Sequence, residues 1–494
     1  MKNKIIYDLV HGYIEINSNI ERIIDCESFQ RLKFINQLTA QHLYPSSNHT
    51  RFEHSLGVMN LSLMFFNRIE NLLKEIISKK EELFRPDIDF LKNHLIYAAL
   101  LHDVGHAPLS HIGEHFYNKD EIIEKIKLEH LNHSLLINTS FLLDKNSYHE
   151  VMSCYVIIKK FKIIFDEIFG NIDYEFIYRI IVGERYKQSN YPERNVIISI
   201  INSDNFDVDK LDYLLRDNYM TGKVGPEIDI PRLLMSLTIN SDNEIAFTHS
   251  AMSSLQKVID CRDNIYMWVC NHHTVVYTDY LYKECFEHFN NLNKLSTSSG
   301  KKHDEALPTS ALFSCESISE SCVDDSDALH YIKNAIMSVK EGRSNSTYTK
   351  NIVTQLKDRN YLKPTWKTLY KYNQFVKTIQ DRFDKKRQKK IIGYVTANYE
   401  NRRKIVHFLC EQLGIELGNL FIVDRKNKFY CEKMDEIYII IDKKEEKLSD
   451  LLPPRDYKKI YDVVAFYIFC EEGRQDDVKN KFLEYFEINK GNTD

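Results

Sequence analysis

A mainly α-helical fold with a smaller C-terminal α+β lobe is predicted by three observations. Residues 56–180 carry apolar side chains at helical spacing, led by Leu61, Leu63, Met64 and Phe65 and continued by Ile69, Leu72 and Leu73. The run Ile96-Tyr97-Ala98-Ala99-Leu100-Leu101 joins apolar side chains to good helix formers, so it predicts a buried helix that Gly105 and Pro108 bring to a close. Past residue 370 the character changes, and Ile391–Val395, Leu420–Val423 and Ile437–Ile441 read as short strands.

Taken in order, the chain opens with Ile5–Gly12 and Ile14-Glu15-Ile16, an alternation that suits a hairpin. Ile20, Ile23, Ile24, Phe29, Leu32 and Phe34 then space helices as far as Ile35. Gln37–His54 reads as a loop, and His54 opens the first long apolar helix. After the apolar run Val196–Ile201, Ser203 or Asp204 is placed to cap the next helix, on which Asp209, Tyr213 and Asp217 recur every four residues and share a face. Asp212 and Arg216 read as an i,i+4 salt bridge on a solvated face. Leu295–Lys302 is the best linker, and the basic run Lys385–Lys390 reads as a solvated face.

Composition narrows the function. A net charge of −5 argues against a surface given over to nucleic acid, although a local basic channel stays open. Ten cysteines without a C-x-x-C pair hold neither a zinc ribbon nor a redox motif, and they point to the reducing cytoplasm. The sequence gives no reason to expect a membrane span, and Met1–Ile5 lacks a signal-peptide apolar region.

The chemistry concentrates in His102-Asp103-Val104-Gly105-His106 through His111. A buried carboxylate beside a buried imidazole needs a strong partner, and a divalent cation is one. Two ligands hold a metal poorly. Further donors of the same kind stand in His49–Val58, where Arg51 precedes His54 by about one turn, and in Phe206–Asp217.

The order His54, His102-Asp103, Asp209 resembles the H…HD…D signature of HD-domain phosphohydrolases. More narrowly the chain is similar to the HD-domain deoxynucleoside triphosphate triphosphohydrolases, including those of animals that also carry a sterile alpha motif. The resemblance runs from Ile5 to about Lys363, with a weaker echo to about residue 475. It implies a catalytic region over residues 1–370 and a lobe over 371–494. It also implies a divalent cation (Mg, Mn, Fe, Zn or Ni all fit) on His54, His102, Asp103 and Asp209, and release of intact triphosphate from a dNTP. His106, His111 and His149 would assist, with Glu114 where the family has an aspartate. Gln37, Arg51, Lys210, Tyr213, Asp217 and Tyr280 would hold the substrate, and Ile5, Asp25, Gln30 and Lys33 (an arginine in the family) an activating nucleotide between copies of a homo-oligomer. A phosphohydrolase acting on monophosphates or phosphodiesters, and a catalytically silent nucleotide sensor, stay open as alternatives.

Overall fold

The computed structural model describes residues 3–489 apart from 83–84, 145–146, 171, 188–189, 223–226, 299–309, 341–346, 426–436 and 453–463. Strands β1 (Lys4–Asp8) and β2 (Gly12–Ile16) form the expected antiparallel hairpin, with Asp8 opposite Gly12. The turn is fixed by the Asp8 carboxylate, whose Oδ1 accepts from the backbone N–H groups of Val10 (2.9 Å) and His11 (2.8 Å). Gly12 has φ +71°, a conformation that favours glycine. Ile14 and Ile16 face the core, while Ile5, Tyr7 and Tyr13 face out.

The long helix α1 (Arg51–Ser78) starts at Thr50, whose N–H donates to Glu53 Oε2 at 2.9 Å in a capping box. Its buried stripe of Leu56, Leu61, Phe65, Ile69 and Leu73 follows the helical period. Helix α2 (Ile88–Leu101) begins at Asp87, which accepts from Asp89 N, and every residue from His94 to Leu101 is buried. It ends at His102, as the sequence predicts. Leu109 and Ser110 then adopt positive φ (59° and 52°), a costly choice for residues with a Cβ. Asp325 helps to hold it, accepting from Leu109 N (2.6 Å) and Asn36 N (3.0 Å).

Helix α3 (Tyr148–Val156) passes into a π-helical stretch at Ile157–Phe161. It lies against the turn after α2, where Gly105 N donates to Ser153 Oγ (2.9 Å) and Ser153 Oγ donates to His102 O (2.6 Å). Helix α4 (Val208–Met220) is capped by Asp207, which accepts from Lys210 N at 2.8 Å. This corrects the expectation of Ser203 or Asp204. The cap falls next to the first helical residue because only there can a side chain reach the orphan N–H groups.

The chain packs as two compact units, neither of which ends at residue 370. The first comprises Met1–Val269, Thr309–Ala328 and Tyr430–Pro454 and holds all the elements above. In its four-stranded sheet, Ile245–Thr248 pairs antiparallel with Leu237–Ile239 and parallel with Tyr438–Ile441. The strand expected at Ile437–Ile441 is therefore present but serves the first unit, not a C-terminal lobe. The second unit comprises Cys270–Pro308, Leu329–Phe429 and Arg455–Asp494. Its antiparallel sheet orders Lys363–Pro364, Phe466–Cys470 and Leu420–Asp424, with Trp366 buried against Phe375 and Phe466. The run Ile391–Val395 is helical, inside Lys385–Ala397, and not a strand. Asp384 caps that helix through Arg387 N, and Ile391 and Val395, four apart, are its buried residues, so amphipathic spacing outweighs β-branched propensity. The basic run Lys385–Lys390 is exposed or half-exposed on it. The expected linker is helical through Ser298, and Ser299–Lys302 lie outside the described residues.

Candidate metal centre

Three helix ends bring the four expected ligands together. His54 comes from the first turn of α1, His102 and Asp103 from the end of α2, and Asp209 from the first turn of α4. His54 Nε2 lies 3.0 Å from Asp209 Oδ1 and 3.7 Å from Asp103 Oδ2. His102 Nε2 lies 3.4 Å from Asp103 Oδ1 and 3.7 Å from Asp209 Oδ1. Donor atoms bound about 2.1 Å from one ion stand about 3–4 Å apart, so this spacing suits a shared cation.

The tautomers suit it as well. His102 Nδ1 is 2.7 Å from Ala99 O, which makes it the N–H and leaves Nε2 as the lone pair. That Nε2 is buried and has no hydrogen-bond partner among the described residues. His54 Nδ1 donates to Asp212 Oδ2 at 2.7 Å, again turning Nε2 to the site. Burial alone would lower the His54 pKa, but Asp209 and Asp212 raise it to about 10. Burial likewise opposes ionisation of Asp103, yet Arg51, His102 and His106 hold its carboxyl well below the usual range. The site is built for positive charge.

Asp212 and Arg216 require a correction. Their ion pair exists, Nε to Oδ2 at 3.0 Å, but both residues are almost wholly buried, 0% and 2% exposed. Asp212 supports His54, and Arg216 is held in turn by Asp8 at 2.8 Å. His11 also reaches Asp212, Nε2 to Oδ1 at 2.5 Å. The signal available in the sequence was Gly57, one turn after His54. A Cβ there would stand 1.9 Å from Asp212 Oδ1, so the glycine makes room for this bridge.

Beside the ligands, Glu114 gathers the three other expected histidines. Its Oε1 stands 2.8 Å from His106 Nδ1 and 3.1 Å from His111 Nδ1, and its Oε2 3.1 Å from His149 Nδ1. His106 Nε2 is 3.1 Å from Asp103 Oδ1, which joins this cluster to the metal ligands. The rings of His106 and His149 stack at 3.9 Å, yet their charges differ. Burial, Arg51 and His149 push His106 down to about 3, so it is neutral. Burial opposes the charge on His149 too, but Glu114 overcomes it and raises the group to about 9. These four residues also have donor atoms within 4.8 Å of one another. Each imidazole lies 2.8–3.1 Å from a Glu114 oxygen, although both His106 nitrogens are buried without a hydrogen bond of good geometry among the described residues. His111 is the exposed member of the cluster.

The expected substrate residues divide. Arg51 is buried, with Nη1 on Asp103 Oδ2 (2.5 Å) and Nε on Ser110 Oγ (2.9 Å). Lys210 Nζ binds Asp207 Oδ2 (2.5 Å) and Ser203 O (2.6 Å). Asp217 accepts from His49 at 2.7 Å in a buried pair that sequence reasoning did not assign. Gln37 Oε1 is buried without a hydrogen-bond partner among the described residues. Burial raises the Tyr213 hydroxyl well above its usual range. Tyr280 belongs to the second unit, 5.3 Å from the Phe421 ring in a pocket with Glu284, Tyr348 and Tyr399. Of the residues expected to hold an activating nucleotide, Ile5 is exposed on β1 and Asp25 caps the helix Ser18–Ile24. Gln30 donates to Ile24 O and accepts from Lys33 Nζ, both at 2.7 Å.

A helical core thus brings two histidines and two aspartates together, with three further histidines and Glu114 beside them. Residues 51–201 match the family model of the HD domain, and His54, His102 and Asp209 have donor atoms close enough together to share a metal ion. The chain resembles the HD-domain dNTPases. It is 30% identical over 298 residues (60% of this chain, 51% of the relative) to the deoxynucleoside triphosphate triphosphohydrolase SAMHD1 homolog of Dictyostelium discoideum. To human SAMHD1, also named a deoxynucleoside triphosphate triphosphohydrolase, it is 27% identical over 309 residues, 61% of this chain and 47% of that one. The chain thus spans about half the length of these relatives. A crystal structure of a phosphohydrolase from Bacteroides thetaiotaomicron shares the fold, with TM-score 0.63 and 19% identity over 95% of this chain and 100% of that one.

Proposed function

We propose that the protein hydrolyses deoxynucleoside triphosphates to deoxynucleoside and inorganic triphosphate. The observation that carries the reading is the pairing of the His54, His102 and Asp209 donor group, with Asp103 beside it, with a histidine cluster of split protonation, at the part of the chain similar to the named dNTPases. A divalent cation on His54, His102, Asp103 and Asp209 supplies Lewis acidity toward a phosphoryl oxygen and lowers the pKa of water. Neutral His106 beside Asp103 accepts a proton, and cationic His149 holds one that Glu114 relays toward exposed His111 and the leaving 5′ oxygen. Arg51 neutralises Asp103, and together with Lys210 adds positive charge beside a polyphosphate. The unpaired Gln37 carbonyl accepts from a 3′-hydroxyl, while Tyr213 and Asp217 crowd the place of a 2′-hydroxyl.

In this reading a second nucleotide activates the enzyme at Ile5, Asp25, Gln30 and Lys33, between copies of a homo-oligomer. The setting is the reducing cytoplasm, a view supported by the nine described cysteines, which form no disulfide among the described residues. One observation favours a second reading. Arg51 is committed to Asp103 and Lys210 to Asp207, which suits a smaller substrate such as a nucleoside monophosphate.

The test is incubation of the full chain with each dNTP and NTP, singly and in mixtures, with Mg²⁺ or Mn²⁺, and separation of products by ion-pair chromatography. Deoxynucleoside and triphosphate from dNTPs, absent with Asp103→Ala, are expected. Turnover of monophosphates alone would replace this reading with the second.

A further inference from the structure

We propose that the turn of the N-terminal hairpin is a positioning element of the metal centre. His11 fixes the Asp212 carboxylate, and Asp212 fixes the Nδ1–H tautomer and ring orientation of His54. The inference rests on the reading of His54 as a metal ligand.

Asp212 is fully buried and its two oxygens are saturated by donors. Oδ2 takes His54 Nδ1 (2.7 Å) and Arg216 Nε (3.0 Å), and Oδ1 takes His11 Nε2 (2.5 Å) and Arg216 Nη2 (3.1 Å). Two of these donors depend on the hairpin. His11 belongs to its turn, 201 residues away in sequence, with a side chain only 6% exposed. Arg216 is aimed by Asp8, the last residue of β1, through Nη1 at 2.8 Å. Asp8 in turn sets the backbone at His11 by accepting its N–H. Gly57 leaves the space in which this assembly meets α1.

Removing His11 leaves Oδ1 of a buried carboxylate with the longer Arg216 Nη2 contact (3.1 Å) as its one remaining donor of the two above. A buried carboxylate short of one donor shifts toward those that remain, and His54, on Oδ2, is one of them. Groups that orient a ligating histidine in this way typically change metal affinity or activity by about 10–100-fold when lost. His11 acts through Asp212, so the two substitutions must not add.

The test uses the metal alone. Full-length protein is stripped with a chelator and titrated with Mn²⁺, free ion being read by electron paramagnetic resonance, and melting temperatures are recorded alongside. In His11→Gln the amide nitrogen takes the place of Nε2 and reaches Asp212, whereas in His11→Asn it takes the place of Nδ1 and falls short. His11→Asn is expected to weaken Mn²⁺ binding by about tenfold or more. His11→Gln should restore most of the affinity, and His11→Asn should cost nothing further in an Asp212→Asn background.

Equal, wild-type binding by the Asn and Gln variants, or a double variant whose loss is the product of the two single losses, would overturn the inference. Should His11→Asn not fold, Asp212→Asn must still weaken binding and His11→Gln must not, and failure of either overturns it. A wild type that binds no Mn²⁺ would remove the metal reading itself, a result distinct from a wild type that binds while its variants are unchanged.

Discussion

At the scale of single residues, the site works by giving like groups unlike surroundings. His106 and His149 stack face to face, yet one is pushed down to about 3, where burial, Arg51 and His149 outweigh Asp103 and Glu114, and the other up to about 9, where Glu114 overcomes burial. His149 is raised above its ordinary value of 6.5. Its ion pair therefore contributes fully to stability below that value, and the contribution is lost as pH rises through about 9. The same sign applies to catalysis. With His149 as the proton reserve, kcat falls as pH rises through about 9, and His149→Gln lowers kcat at every pH while erasing that alkaline limb. A pH–rate profile of the two proteins checks this. Gln37→Ala should raise KM by up to about tenfold with kcat little changed, the effect of losing one hydrogen bond made equally in ground and transition states. Steady-state kinetics on a dNTP read it. That His54, His102, Asp103 and Asp209 come together was legible in the sequence because histidine beside aspartate at a buried helix end has few other uses. Asp212 was not, since an i,i+4 carboxylate–guanidinium pair looks the same in sequence whether it faces solvent or supports a ligand.

At the scale of elements, close approach decides what the sequence tolerates. Helix α3 lies so near the turn after α2 that a Cβ on Gly105 would stand 2.2 Å from Ser153 N and 2.5 Å from Met152 C. Both are backbone atoms, so the clash cannot be relieved by a rotamer change. Gly105→Ala should destabilise by roughly 1–3 kcal/mol or more, measured by urea unfolding, and should also lower metal retention because the turn carries Asp103. Gly57→Ala meets the Asp212 and Arg216 side chains instead, and a loss of similar size is expected there. Helix ends were well placed by the sequence where an apolar period met a breaker, as at His102. The run Ile391–Val395 reads as a strand in the sequence because three β-branched residues around Gly393 and Tyr394 carry little period information. The basic residues before it and the cap at Asp384 extend the helical pattern through it.

At the scale of the whole molecule, the first unit is assembled from distant parts of the chain. The strand Tyr438–Ile441 returns to pair with Ile245–Thr248, and Asp325 returns to hold Leu109. Such returns leave no local trace, which is why a single boundary near residue 370 could not describe the packing. Among the described residues no helix is long and apolar enough to cross a membrane. What the sequence did carry, through His54, His102, Asp103 and Asp209 alone, was the point on which α1, α2 and α4 converge. The account stands on that point being a divalent-cation site that drives hydrolysis of a phosphate ester. The most direct test measures bound metal per chain and dNTP hydrolysis together, in wild type and Asp209→Ala, before and after chelation and return of Mn²⁺. The account predicts that chelation abolishes hydrolysis, that Mn²⁺ restores both occupancy and hydrolysis in wild type, and that Asp209→Ala recovers neither in full. Hydrolysis that survives chelation, or an Asp209→Ala chain that binds and turns over as wild type does, would contradict it.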